Sequence, residues 1–473
     1  MNNEKKDKLT ELRDSLLLKR KNGRAAVSEQ TLKNTDSFCE DYKQFLNASK
    51  TEREAVMTAQ DLAEKAGFLP FDSSKTYSAG DKVYFNNRNK ALALCVVGTN
   101  PVENGVRITA AHIDSPRLDL KPNPLYESDE LALFKTHYYG GIKKYQWTTI
   151  PLSLHGVFCK RDGTVVPVTI GEDENDPQFV ITDLLPHLAQ EQSQRKLSDG
   201  IKGEELNILI GSHPICDDEG GDLVKLNILK LLNEKYGVTE SDFLSAELEC
   251  VPAAKARDIG LDRSMIGSYG HDDRVCAYPA LRAVLDMEKI PEMTAITILA
   301  DKEETGSDGN TGMNSAWLRY FVYDLAKSQG GDIHHALANS KCLSADVNAA
   351  FDPTFPDVME KRNASLLNYG AVITKYTGAR GKSGTSDASA EYVGEIRALL
   401  DENHILWQHG ELGRVDLGGG GTVAMYIANL GVDVVDLGVP VLSMHAPFEV
   451  VAKLDVYMTY LTIRAFFGDA LSC

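Results

Sequence analysis

Apolar and polar positions change period several times along the chain, and those changes divide it. Over residues 1–50, leucines at 9, 12 and 16 and then Phe38, Tyr42 and Phe45 recur at helical spacing, which predicts amphipathic helices. Thr51-Glu-Arg-Glu54 has the capping-box pattern and predicts a helix with Val56, Ala59, Leu62, Ala63 and Ala66 on one side, ending at Gly67. From residue 82 the period becomes that of strands: 82–85, a turn over 86–89, then 91–97 and 106–112, the last delivering His112 at its end. Residues from about 120 to 255 differ in texture. There 154–159 and 164–170 flank Arg161-Asp162-Gly163, a hairpin signal, and an acidic loop follows at 172–176. The pattern then alternates again, with a helix over 273–285, strands over 294–300 and 343–347, a helix over 391–400, and a strand segment over 435–444 that leads into His445.

This organisation predicts an α/β protein in which a mixed sheet with flanking helices is built from 1–118 and 256–473. A β-rich domain, 119–255, interrupts it. At 473 residues the chain can bury more than one core. Its 43% hydrophobic and 25% charged residues are ordinary for a globular protein. A formal charge of −18 argues against nucleic acid as a partner, because such binding rests on Lys and Arg neutralising phosphates. The eight scattered cysteines, with no Cys-x-x-Cys, suit a reducing compartment rather than a disulfide framework or a thiolate zinc site. The charged start Met1-Asn-Asn-Glu-Lys-Lys-Asp-Lys has no apolar leader, and no apolar run approaches the roughly 20 residues of a membrane span. A cytoplasmic protein without a membrane partner is expected.

Chemistry gathers at the strand ends. The paired carboxylates of Asp301-Lys302-Glu303-Glu304-Thr305-Gly306 follow a β-branched run, and alternation along extended chain would point Glu303 and Glu304 to two neighbouring positions. His112-Ile-Asp114 places an imidazole and a carboxylate at i and i+2, the spacing at which Asp114 would fix the tautomer of a ligating His112. His271-Asp272-Asp273 precedes a helix, where a carboxylate also serves as a cap. Asp346 and His445 end apolar runs. Each alone is modest. Together His112, Asp272, Glu304, Asp346 and His445 form an imidazole and carboxylate shell suited to Zn²⁺ or its borderline neighbours. Five ligands with one bridging carboxylate would serve two ions about 3.5–4 Å apart.

Five co-linear stretches, His112-Ile-Asp-Ser-Pro-Arg-Leu-Asp-Leu-Lys-Pro122, His271-Asp-Asp-Arg-Val-Cys276, Asp301-Lys-Glu-Glu-Thr-Gly-Ser307, Ser344-Ala-Asp346 and Asp436-Leu-Gly-Val-Pro-Val-Leu-Ser-Met-His445, resemble the motif series of the M18 metallo-aminopeptidases. The resemblance implies the zinc-exopeptidase fold of phosphorylase/hydrolase type, two divalent ions (Zn²⁺, with Co²⁺ or Mn²⁺ as alternatives), and peptides with a free N-terminus as substrates. It implies that Asp272 bridges, that His112 and Asp346 complete one metal site, and that Glu304 and His445 complete the other. Glu303 matches the general base, and Asp114 stands with it among the catalytic residues. The insertion would be a dimerisation domain, with dimers assembling into a homo-oligomeric dodecamer. Pro186-His187-Leu188-Ala189 resembles the motif whose His reaches a neighbouring active site, so His187 joins Lys375 and Met444 as expected substrate-binding residues. Lys375 would meet an acidic substrate side chain. The chain departs from aspartyl-preferring members in carrying His271-Asp-Asp where they have Leu-Asp-Asn, and in the segment 378–387.

Gly381-Lys382-Ser383 imitates the end of a phosphate-binding loop, but Tyr376 stands where its first glycine belongs. The glycines at 418–421 read as a tight loop near substrate. Two other readings stay open at this point: another dinuclear amidohydrolase, such as a carboxypeptidase or deacylase, and an inactive self-assembling scaffold on the same fold.

Overall fold

A computed structural model describes residues 2–216 and 220–469, with side chains from Lys8 onward. Cys473 lies outside the described residues, and the other seven cysteines are free thiols. The principal sheet has nine strands, in the order Leu69–Pro70, Lys82–Asn87, Ala91–Val96, Thr294–Ala300, Val106–His112, Lys341–Ala345, Asp433–Gly438, Ala371–Thr374 and Trp407–His409. Its four central strands, from Thr294–Ala300 to Asp433–Gly438, run parallel and are flanked by antiparallel pairings at Ala91–Val96 and Ala371–Thr374. Both faces are covered, as a parallel sheet requires. Ala295 and Leu299 enter one core with helices Glu29–Ala48, Glu52–Lys65, His271–Leu285 and Lys453–Phe466, while Ile296, Ile298 and Ala300 enter the other with Trp317–Ser328.

A seven-stranded antiparallel sheet, drawn from strands between Arg117 and Pro252, encloses its own core of Leu118, Phe134, Trp147, Leu154, Phe158 and Phe243. It holds the expected hairpin, Leu152–Cys159 against Val165–Ile170. It also carries a helix, Leu223–Tyr236, that the β texture of this region concealed. A five-stranded sheet joins Arg257–Ile259, Met265–Ser268, Glu449–Ala452, Pro440–Leu442 and Asn348–Ala349.

Local sequence explains much of this. Thr51 caps Glu52–Lys65 through the expected reciprocal box with Glu54. The strands Thr294–Ala300 and Val106–His112 have the expected bounds. Three expectations need correction. Residues 1–50 form two helices, Asn2–Leu16 and Glu29–Ala48; Tyr42 and Phe45 are buried, but Leu9, Leu12 and Leu16 are left exposed by this chain. The strand expected at 343–347 is Lys341–Ala345, so Asp346 stands just beyond its end. The segment 435–444 is not one strand. It breaks between Asp433–Gly438 and Pro440–Leu442, which belong to different sheets, and at the break Gly438 passes so close to Asp346 that a Cβ would lie 2.0 Å from its carbonyl oxygen. Among the described residues no helix is long and apolar enough to cross a membrane.

Candidate metal centre

The parallel strands deliver their carboxyl ends to one edge, where open α/β sheets place their sites. Their register brings Ala300 level with His112 and Ala345 level with Leu437, so His112, the segment after Ala300, and Asp346 emerge side by side. Alternation does not separate Glu303 from Glu304, contrary to expectation. Lys302 takes a left-handed conformation (φ 68°), and Glu303–Thr305 form a short 3₁₀ turn that fans the two side chains apart. Asp272 comes from the irregular first residues of His271–Leu285 and is joined to Asp273 by a cis peptide bond. His445 follows Pro440–Leu442 of the five-stranded sheet.

The structure brings His112, Asp272, Glu303, Glu304, Asp346 and His445 into one cluster. Asp272 stands between the two histidines, its Oδ1 3.1 Å from His112 Nε2 and its Oδ2 3.1 Å from His445 Nε2. Around His112 Nε2 lie Glu303 Oε2 at 3.7 Å and Asp346 Oδ1 at 3.9 Å, and Glu304 Oε2 is 3.5 Å from His445 Nε2. Such spacings match the edges of a tetrahedron with metal–ligand bonds of about 2.0–2.1 Å, roughly 3.4 Å.

Each imidazole is held in the tautomer a cation needs. His112 Nδ1 donates to the Asp114 carbonyl (3.0 Å) and lies 3.3 Å from Asp114 Oδ1, and His445 Nδ1 donates to the Gly141 carbonyl (2.7 Å). In both rings this leaves Nε2 facing Asp272. Asp114, buried behind His112, also accepts the backbone N–H groups of Glu303 and Glu304 (both 3.2 Å). It is fully buried and touches no open space.

Unmet polar capacity marks the same spot. His112 Nε2, Glu304 Oε1 and Asp273 Oδ1 are buried without a hydrogen-bond partner among the described residues. Donor atoms of His112, Asp272 and Glu304 lie within 4.8 Å of one another, and so do those of His112, Asp273 and Asp346. Burial, compounded by Asp272 and Asp114, pushes Glu303 up to about 7. It pushes Glu304 and Asp346 well above the carboxylate range. Burial opposes charge on His445, but Asp272 and Glu304 outweigh it and raise the ring to about 10. Among the described residues no Lys or Arg is ion-paired with these carboxylates. A site so short of positive charge, with orphaned donor atoms of the right types, fits a divalent cation.

Several neighbours have other partners. Asp301 accepts from Thr311 Oγ1 (2.6 Å) instead of facing the cluster. His271 is sealed in the core between the Tyr42 hydroxyl (2.8 Å) and the Ile266 carbonyl (3.2 Å), and burial lowers it to about 3. Asp273 turns Oδ2 toward the His112 backbone N–H (3.3 Å). Sequence reasoning missed Glu449. It is fully buried, and its carboxylate accepts the backbone N–H groups of Asp272 (3.1 Å) and His445 (2.8 Å), clamping two donors at once. Its signal was a carboxylate at the head of the apolar strand Glu449–Ala452.

A cavity of about 580 Å³ opens beside His445, lined by Gly141, Tyr145, Phe355, Met359, Leu442 and Met444 among others. Met444 thus lies beside the cluster. Lys375 does not: it faces a separate cavity with Ile373, Tyr376 and Trp407, and its ammonium is 2.6 Å from Asp387. His187 is exposed in the irregular chain between strands Val180–Ile181 and Asn207–Gly211. The glycine loop at 418–421 packs on Gly378 and Ala379.

Residues 45–467 match the family model described as aminopeptidase I zinc metalloprotease (M18). A probable M18 family aminopeptidase 1 of Clostridium acetobutylicum is 51% identical over 96% of this chain and all of that protein, and one from Thermotoga maritima is 46% identical over 91% and 95%. The crystal structure of aminopeptidase I from Clostridium acetobutylicum superposes with a TM-score of 0.90 at 48% identity, covering 96% of this chain and all of that one. The M18 aminopeptidase structure from Thermotoga maritima gives 0.90 at 44%, covering 95% and 99%. At 22% identity and a TM-score of 0.74 over 92% of this chain and 97% of that one, the S. cerevisiae mApe1 dodecamer shares the fold. The amidohydrolase and scaffold alternatives give way: the chain belongs to the M18 family and is a zinc-dependent aminopeptidase.

Proposed function

We propose that the chain removes the N-terminal residue of peptides at a centre for two divalent ions, Zn²⁺ or in its place Co²⁺ or Mn²⁺. The observation that carries this reading is Asp272, whose two carboxylate oxygens each meet a different histidine. His112 and Asp346 would hold one ion, Glu304 and His445 the other, with Asp272 between. When bound, such ions supply Lewis acidity and bring the pKa of water from 15.7 toward about 7.

The chain's own residues then have distinct tasks. Glu303, set within reach of the cluster but outside both ligand sets, accepts a proton from the attacking water and returns it to the leaving amine, a transfer worth about 10²–10⁴-fold. Asp114 and Glu449 hold His112, Asp272 and His445 in place through the bonds described above. The cavity beside His445 receives the N-terminal side chain; Phe355, Met359, Leu442 and Met444 give it an apolar wall that favours an apolar one, with Lys143 and Asp352 also in its lining. An acidic preference through Lys375 has less support, because that ammonium is already engaged by Asp387 and faces another cavity.

Release of the N-terminal residue from a panel of aminoacyl anilides, with and without chelator, tests the reading. Chelator-sensitive cleavage of Leu or Met substrates is expected. Strong preference for Asp or Glu would restore the Lys375 reading, and cleavage of N-acyl substrates alone would sink the whole assignment.

The insertion 119–255 is further proposed as a dimerisation element within a dodecamer. Support comes from the dodecameric yeast neighbour and from Leu184, Leu185, Leu188 and Leu197, which this chain leaves exposed around His187. In that assembly His187 would enter a neighbouring subunit's site. A monomer in sedimentation analysis at working concentration would remove this part.

A further inference from the structure

The strand Leu131–Tyr139 belongs to the seven-stranded sheet, yet its last residue and the two that follow run into the metal centre of the other sheet. The Tyr139 hydroxyl donates to Asp114 Oδ2 (2.8 Å). That carboxylate is the hub already described: it lies against His112 Nδ1 and accepts the N–H groups of Glu303 and Glu304. Gly140 (φ 73°) runs alongside Glu304, so that a Cβ there would sit 3.1 Å from Glu304 Oε2 and 3.3 Å from its Cβ. The Gly141 carbonyl accepts from His445 Nδ1 (2.7 Å).

Three consecutive residues therefore lie against Asp114, which backs the candidate ligand His112, and against two candidate ligands themselves, Glu304 and His445. The segment is itself fixed. The Arg117 guanidinium lies 4.0 Å over the Tyr139 ring and is buried between Glu52 (3.1 Å) and Glu249 (3.3 Å). A cation stacked on an aromatic face and paired with two buried carboxylates leaves the ring little freedom.

We propose that Tyr139-Gly140-Gly141 is a positioning strap by which the second sheet sets the geometry of the metal centre. Tyr139 holds the Asp114 hub, and through it His112 and the Glu303 turn. Gly140 sets how deeply Glu304 sits. Gly141 fixes the His445 tautomer. The inference rests on the metal reading above, and it gives the β-rich part of the chain a role in the site that assembly alone does not require. Partners in this outer layer are typically worth about 10–100-fold in metal affinity or activity.

The test uses the full-length protein and two variants. Tyr139→Phe keeps the ring and its Arg117 stacking and deletes one hydroxyl. It is expected to weaken Zn²⁺ binding, measured by competition with a chromogenic chelator, by about 10-fold or more, to shift the visible spectrum of the Co²⁺-substituted protein, and to lower kcat with KM within about twofold. Introduced into an Asp114→Asn background, the same change is expected to add little, since both act through one hub. Gly140→Ala is expected to halve the bound zinc by displacing Glu304. Unchanged Zn²⁺ affinity and Co²⁺ spectrum in Tyr139→Phe, with wild-type zinc content in Gly140→Ala, would overturn the strap alone. A wild-type protein that binds no zinc would overturn the metal reading and the strap with it.

Discussion

Two buried histidine–carboxylate clusters in this molecule look alike by residue type and differ in what surrounds them. At His155 every polar atom is answered. Nδ1 meets Glu54 Oε1 at 2.7 Å, and Nε2 meets Ser153 Oγ at 3.0 Å and Glu172 Oε1 at 3.1 Å. Glu172 in turn pairs with Lys50 (3.0 Å) and with Lys255. At His112 several carboxylates crowd two histidines, among the described residues none of them is paired with a Lys or Arg, and His112 Nε2 and Glu304 Oε1 have no hydrogen-bond partner. One cluster is a finished network that ties helix Glu52–Lys65 to the seven-stranded sheet; the other is a set of donor atoms whose charge a cation would balance. Charge balance and orphaned atoms, rather than residue types, separate ligands from struts.

The largest expected effect sharpens the open cluster. Glu303→Gln should lower kcat by about 10²–10⁴-fold while zinc content stays at the wild-type level. Turnover retained in a metal-replete variant would remove Glu303 from the proton transfer. Glu304→Ala should lose activity together with bound zinc, whereas His155→Gln should keep all of its zinc, and elemental analysis of the two proteins side by side decides whether the clusters really differ in kind.

The closed cluster should instead answer in stability. Removing His155 leaves Glu54 and Glu172 short of a buried partner, at a cost of about 1–3 kcal/mol in urea unfolding. Its pH dependence has a definite sign. Burial works against charge on His155, but Glu172 and Glu54 raise it above its ordinary 6.5, so this contribution is full below about 6.5 and is lost as pH rises through the raised value. Burial works against charge on Glu172 too, yet His155 and Lys50 hold it below its ordinary 4.5, so its share is present above that value and lost in acid. The gap between wild type and His155→Gln should therefore be widest between about 4.5 and 6.5 and narrow on either side; a gap that widens toward about pH 9 would contradict this ion pairing. The smallest effect is at the cap: Thr51→Ala should cost about 1 kcal/mol, since Glu54 closes the capping box and also reaches His155.

The contrast also explains what the sequence made legible. The strands Thr294–Ala300 and Val106–His112 could be read because buried parallel strands are short apolar runs with polar ends, and those ends carry His112 and the Glu303–Glu304 pair. Asp346 was visible for the same reason, and His445 because it ends an apolar run, although that run is divided between two sheets. The divergence of Glu303 from Glu304 was anticipated by a false route, since a left-handed Lys302 and a 3₁₀ turn replace extended chain. Gly438 hid a change of sheet inside one apolar run, and a β-rich surrounding hid Leu223–Tyr236. Tyr139 was not legible, and Glu449 showed only as a carboxylate at the head of an apolar strand. Their roles depend on contacts between different sheets, and no spacing along the chain joins 139 to 114 or 449 to 272.

Asp272 is proposed to lie between two cations rather than beside one. Stepwise addition of zinc to metal-stripped protein, with release of the N-terminal residue from a leucyl anilide followed at each step, tests this directly. The expected result is two bound equivalents, with full activity only after the second. Full activity at a single equivalent would contradict it.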